Sequence, residues 1–99
     1  MRIIAKRRLR EFWELPGRRD AEANLKAWYR VVHAASWTGP AGVKEQFRNA
    51  SIIGGRRVVF NISGNKYRLV VEINYPYGVV YIRFVGTHAE YDSIDVETI

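Results

Sequence analysis

The spacing of apolar residues changes character near the middle of the chain. Before that point the period is helical. Leu9, Phe12 and Trp13 fall at the i, i+3, i+4 spacing of a helix stripe that starts at Lys6, and Pro16-Gly17 ends it. Lys6, Arg7, Arg8 and Arg10 mostly face away from the stripe. A second helix is predicted from Asp20, a suitable N-cap, to about Ser36. Its buried positions are Ala21, Leu25, Trp28, Val32 and Ala35. Glu22, Lys26 and Arg30 follow one another at i, i+4 on the outer side, with Glu22–Lys26 in the favourable order. "RIIA" at 2–5 suits a short strand or the lead-in to the first helix. "TGPAG" at 38–42 reads as a loop, and 43–48 as a further helical turn.

From Val58 the period becomes two. "RRVVFNIS", "KYRLVVEINY" and "VVYIRFV" read as three strands, separated by "GN" at 64–65 and "PYG" at 76–78, with the third strand ending at Gly86. Gly64-Asn65 suits a two-residue hairpin turn with glycine first. Helices followed by an antiparallel meander predict an α+β fold, with the N-terminal helices packed on one face of a small antiparallel β-sheet.

Register follows from asking which pairing sorts the side chains, because residues opposite each other share a face. With Gly64-Asn65 as the turn, Ser63 opposes Lys66, Asn61 opposes Arg68, and Phe60 opposes Leu69. With Pro76-Tyr77 at the second turn, Val70 opposes Arg83 and Arg68 opposes Val85. One face then collects Val58, Phe60, Ile62, Tyr67, Leu69, Val71, Ile73, Val80, Ile82 and Phe84. The other collects Arg57, Asn61, Ser63, Lys66, Arg68, Glu72, Tyr81 and Arg83, with Val59, Val70 and Val85 among them. The first is a surface for the helices. The second is a solvated face with four cations, where Arg57 can pair with Glu72 across strands and a bulge at the second turn would move Arg83.

Length and charge sharpen this picture. At 99 residues and 11.5 kDa the chain is expected to form one domain over 1–99, and 47% hydrophobic residues argue for an ordered globule. The formal net charge of +6 favours a polyanionic partner. It is unevenly placed: residues 89–99 hold Glu90, Asp92, Asp95 and Glu97 and no base, so the positive charge lies on the rest of the chain. The absence of cysteine excludes disulfides and thiolate zinc sites. No segment has the apolar length of a membrane span or signal peptide, so a cytoplasmic location without membrane association is expected.

"FVGTHAEYD" at 84–92 carries the candidate chemistry. It delivers His88 and Tyr91 just past the strand that bears Arg83, and a helical turn there would put both on one side. Arginines fork onto phosphate oxygens, lysine supplies a point charge, and histidine and tyrosine exchange protons. No acid or histidine group has metal-ligand spacing, so no metal or cofactor is expected. The set suits RNA cleavage by its own 2′-hydroxyl, which needs a base, an acid and cations for the charge developing at phosphorus. There is no phosphate-binding Gly-x-x-x-x-Gly-Lys loop and no Gly-x-Ser-x-Gly elbow. Trp13 and Trp28 read as core, His33 as solvent-facing, and Asp92 and Asp95 as caps or charge balance for the last turn rather than catalytic groups.

"VVFNISGNKYRLVVEINY" followed by "VYIRFVGTHAEYDSID" resembles the HigB-type toxins of bacterial toxin–antitoxin pairs, within the RelE-like superfamily. The resemblance spans about residues 1–95 and is most specific over 58–92. It implies a compact α+β toxin that cuts messenger RNA on the translating ribosome. It also implies a DNA-binding, HigA-like antitoxin that masks the toxin in an oligomeric complex. Arg68, in "KYRL", falls where RelE-like toxins carry a phosphate-stabilising arginine. His88 falls where RelE itself has another arginine, and Tyr91 lies about three residues before the place of RelE's C-terminal tyrosine. The expected catalytic set is therefore His88, Arg68, Tyr91 and Lys66, with Arg83, Asn61 and Arg57 as RNA-binding residues. His88 and Tyr91 are both eligible as the general base. A non-catalytic inhibitor of ParE type, or a plain RNA-binding module, is the alternative on the same scaffold.

Overall fold

A computed structural model describes all 99 residues. Strand β1 (Arg2–Ile4) leads directly into helix α1 (Lys6–Trp13). A 3-10 turn (Arg19–Ala21) and helix α2 (Glu22–Ala34) follow, then α3 (Pro40–Gln46) and the short strand β2 (Ser51–Ile53). Three longer strands complete the sheet: β3 (Arg57–Ile62), β4 (Tyr67–Asn74) and β5 (Val79–Thr87). Helix α4 (His88–Asp92) starts where β5 stops. The sheet has five strands in the order β1-β5-β4-β3-β2, antiparallel except for the β1–β5 pair.

The helices pack on one face of this sheet, as the apolar stripes require. Leu9, Phe12 and Trp13 of α1 and Leu25, Trp28 and Val32 of α2 are buried with Ala21. They meet Val58, Phe60, Ile62, Tyr67, Leu69, Val71, Ile73, Val80 and Ile82, all of them buried in the same cluster. Edge-on aromatic contacts tie the layers together, Phe12 on Tyr67 at 5.3 Å and Trp28 on Phe60 at 5.4 Å between ring centres. His33 is exposed and stacks on Tyr29. No helix is long and apolar enough to cross a membrane.

The first hairpin has the expected register, with Asn61 opposite Arg68 and Phe60 opposite Leu69. Gly64 takes the positive φ, +67°, that the first position of this turn demands, and Lys66 N–H closes it onto the Ser63 carbonyl. The second turn also has Pro76 and Tyr77 at its centre, closed by Gly78 N–H on the Tyr75 carbonyl. From there Val71 opposes Ile82 as expected, but the next pair is Val70 with Phe84. Arg83 is the extra residue of a β-bulge inside the strand, not at the turn.

The bulge corrects three placements. Beyond it, Arg68 opposes Gly86 rather than Val85, Phe84 moves to the face away from the helices, and Val85 packs against the core. The strand also runs on past Gly86 to Thr87. Gly86 is needed inside it because a Cβ there would come within 2.5 Å of the Phe84 ring and 3.0 Å of a Glu90 carboxylate oxygen. "RIIA" resolves as strand β1, and both it and β2 extend the sheet beyond the three-stranded meander. Asp20 makes no capping hydrogen bond. Its carboxylate instead accepts from Lys66 and from the Tyr67 hydroxyl, both at 2.5 Å.

The face away from the helices is drier than its sequence suggests. Val59 and Val70 are only 3% and 0% exposed, although they lie outside the helix-side cluster. Helix α4 packs on β4 and β5, and the chain after it reaches Arg57, which donates to the carbonyl of Ile99. The acidic last segment therefore lies on the sheet and not apart from it.

Candidate functional site

Seven residues were expected to form the site, and the fold divides them into two groups. At one end stands Glu72. Arg83 donates to one of its carboxylate oxygens through Nε at 3.1 Å and Nη2 at 2.8 Å, while Arg57 and Arg56 approach to 3.9 and 3.6 Å. The Arg83 guanidinium, helped by those of Arg56 and Arg57, holds the Glu72 carboxyl below the usual carboxylate range. Arg57 and Arg83 are thus engaged with an acid. Arg83 also lies over the Tyr81 ring at 5.4 Å.

The other end is organised by the β3–β4 turn and α4. Arg68 projects from β4 beside Asn61 and Gly86, its partners on the two neighbouring strands. It faces no carboxylate. Its guanidinium donates to the Asn65 carbonyl at 3.2 Å and lies 5.8 Å from the centre of the Tyr91 ring. Tyr91 in turn packs against Phe84, ring centres 6.5 Å apart, so the bulge that turns Phe84 outward also seats the tyrosine.

His88 is the first residue of α4. The helix begins with a capping box, in which Thr87 Oγ1 accepts from Glu90 N–H at 3.1 Å and the Glu90 carboxylate accepts from Thr87 N–H at 2.8 Å. These contacts, with Arg18 at 3.0 Å, hold the Glu90 carboxyl below its ordinary range. His88 N–H donates to the Lys66 carbonyl at 3.1 Å, fixing the start of α4 to the turn that leads into β4. The imidazole Nδ1 lies 3.0 Å from Asp92 Oδ2.

His88, Arg68, Tyr91 and Asn61 accordingly share one corner of the sheet. Lys66 is beside them in the backbone, but its ammonium is turned to Asp20, whose carboxyl it holds below the usual range. Two partners were not anticipated. Asp92 was expected to cap or charge-balance the last turn, yet it meets His88. Thr87 and Glu90 stand in the Thr-x-x-Glu spacing of a capping box, a signal present in the sequence. No group of three or more acidic or histidine side chains is arranged to hold a metal ion.

A family model for HigB toxin, the RelE-like toxic component of a toxin–antitoxin system, matches residues 21–94. The chain belongs to the HigB toxin family. The match takes in α2, the four strands β2 to β5 and all of α4, so it includes both ends of the outer face. This HigB-family protein is the toxic component of a toxin–antitoxin system, which implies a cognate antitoxin. No curated protein matches the chain.

Proposed function

We propose that this toxin is a ribosome-dependent messenger-RNA endonuclease, acting as a single domain over residues 1–99 in the cytoplasm. The observation that carries the reading is the corner where an arginine free of acids, Arg68, lies over Tyr91 next to the helix that starts at His88. In the proposed reaction the ribose 2′-hydroxyl loses its proton to the His88 imidazole and its oxygen attacks the adjacent phosphorus. The new bond is 2′-O–P, and the P–O5′ bond breaks. The Tyr91 phenol supplies a proton to the departing 5′-oxygen. Arg68 stabilises the charge that develops on the non-bridging oxygens. No metal or other cofactor enters this scheme.

Asn61 and Lys66 flank the corner and contact the substrate backbone in this reading. Arg83 and Arg57 have a lesser part, because Glu72 already occupies them. The HigA-like antitoxin silences the toxin, and its acidic or amphipathic segments have the basic helices or this corner to cover.

The test is primer extension on a reporter messenger RNA in a translating extract, comparing wild type with His88→Ala. Cuts inside the reading frame that require translation, and that vanish in the folded variant, support the proposal. Undiminished cutting by His88→Ala removes the histidine from the chemistry. Growth arrest without any cutting by the wild type replaces this reading with a non-catalytic inhibitor.

A further inference from the structure

We infer that Asp92 is a positioning residue for His88, fixing which imidazole nitrogen is free to take the 2′-hydroxyl proton. The inference rests on the reading of His88 given above and specifies how that residue is made competent.

A neutral imidazole has one N–H and one lone pair, and only the nitrogen with the lone pair can act as a base. The hydrogen bond made by one nitrogen decides the state of the other. Asp92 Oδ2 lies 3.0 Å from Nδ1, and an ionised carboxylate only accepts. Nδ1 must therefore carry the proton, and the lone pair is left on Nε2. The same contact holds the ring in one orientation, while the hydrogen bond from His88 N–H to the Lys66 carbonyl holds its backbone.

The alternative purpose of such a pair, helix stability, is poorly served here. An exposed i, i+4 pair adds little to helix stability, and α4 is a helix of five residues already closed by its capping box. The setting of the pair is also unusual. Among sixteen Lys and Arg residues none makes a salt bridge with Asp92, whose one ionic contact is the histidine. The neighbouring charged groups are otherwise committed: Glu90 to Arg18, and Lys66 to Asp20. Arg68 remains over Tyr91.

The experiment compares wild type with Asp92→Ala, Asp92→Asn, Asp92→Glu and His88→Ala. It uses single-turnover cleavage on translating ribosomes and ¹⁵N NMR of the His88 ring in the free protein. In the wild type the neutral ring should show the Nδ1–H form. In Asp92→Asn the amide can donate to Nδ1, and the other tautomer should gain population. Asp92→Ala and Asp92→Asn should lower the cleavage rate by about tenfold to a hundredfold, with half-saturation changed less than about threefold and Asp92→Glu partly restored. An unchanged tautomer and a cleavage rate within about twofold in Asp92→Ala, beside an inactive His88→Ala, would overturn the role of Asp92 and leave that of His88 standing. An active His88→Ala, or a wild type that does not cut, would overturn both.

Discussion

The two ends of the outer sheet face carry the same kind of side chain in opposite states. Around Glu72, three arginines share one carboxylate. Around Arg68 there is no carboxylate, and the guanidinium rests on an aromatic ring. Both ends would be counted alike in a list of basic residues. They differ because one acid on β4 lies opposite Arg57 on β3 and Tyr81 on β5, beside the bulged Arg83, while none lies two strand-pairs away at Arg68. Availability of charge, rather than its amount, separates the candidate site from its surroundings.

The sharpest way to break this contrast is to remove one arginine from each end. Arg68→Ala should lower single-turnover cleavage by about a hundredfold to a thousandfold, the range seen when a preorganised donor to a developing charge is lost. Arg83→Ala should change it by less than about threefold. Equal losses would mean that the two ends act together on the substrate. Gly86→Ala addresses the support of the active end. Its new methyl meets the Phe84 ring at 2.5 Å, so Phe84 and with it Tyr91 and Arg68 must shift. A displacement of that size should lower cleavage by about tenfold, with circular dichroism showing the fold retained.

Glu72→Gln acts on the other end and on stability. The Glu72 carboxyl is held below its usual range by Arg83, so it is a group whose folded pKa is depressed. Its contribution is therefore complete above the unfolded glutamate value of about 4.3 and is lost as pH falls through the folded value. Glu72→Gln should cost about 1–2 kcal/mol at neutral pH, and its deficit relative to wild type should shrink on acidification, as measured by denaturant unfolding. The smallest effect belongs to the basic helix. Arg7→Ala with Arg10→Ala should weaken ribosome pelleting by a few-fold if α1 faces ribosomal RNA. Arg8 is left in place because it donates to the Ile82 carbonyl at 2.7 Å and supports the fold. Unchanged pelleting would reject that surface.

Much of this arrangement was legible in the sequence wherever local chemistry decides it. Helical spacing identified Leu9, Phe12, Leu25, Trp28 and Val32 as core, and Gly64-Asn65 set the first hairpin register. The bulge was not legible, since "IRFVG" has ordinary alternation and the choice depends on Phe84 finding Tyr91 from a later helix. Strands β1 and β2 have three residues each, too few to declare a period. Asp20 had the right type for an N-cap, but Lys66 and Tyr67, distant in sequence, bind it more strongly. The grouping of His88, Tyr91 and Arg68 followed from strand order and the resemblance, whereas the contact of Asp92 with His88 and the burial of Val59 and Val70 depend on tertiary packing that the strand pattern does not encode.

The bulged Arg83 has a consequence for how the gene can change. As the unpaired residue it is looped out of the ladder, and the bulge keeps Gly86 facing Arg68 and Phe84 outward. A codon substituted at 83 leaves that arrangement intact. A codon deleted there removes only the extra residue, and Val70 with Phe84, Leu69 with Val85 and Arg68 with Gly86 remain paired in a regular ladder. Loss of three nucleotides at this point should therefore be among the mildest in-frame deletions along the strand, and survivors of toxin expression should carry deletions at Phe84 or Val85, which remove or displace the ring against Tyr91, more often than at Arg83.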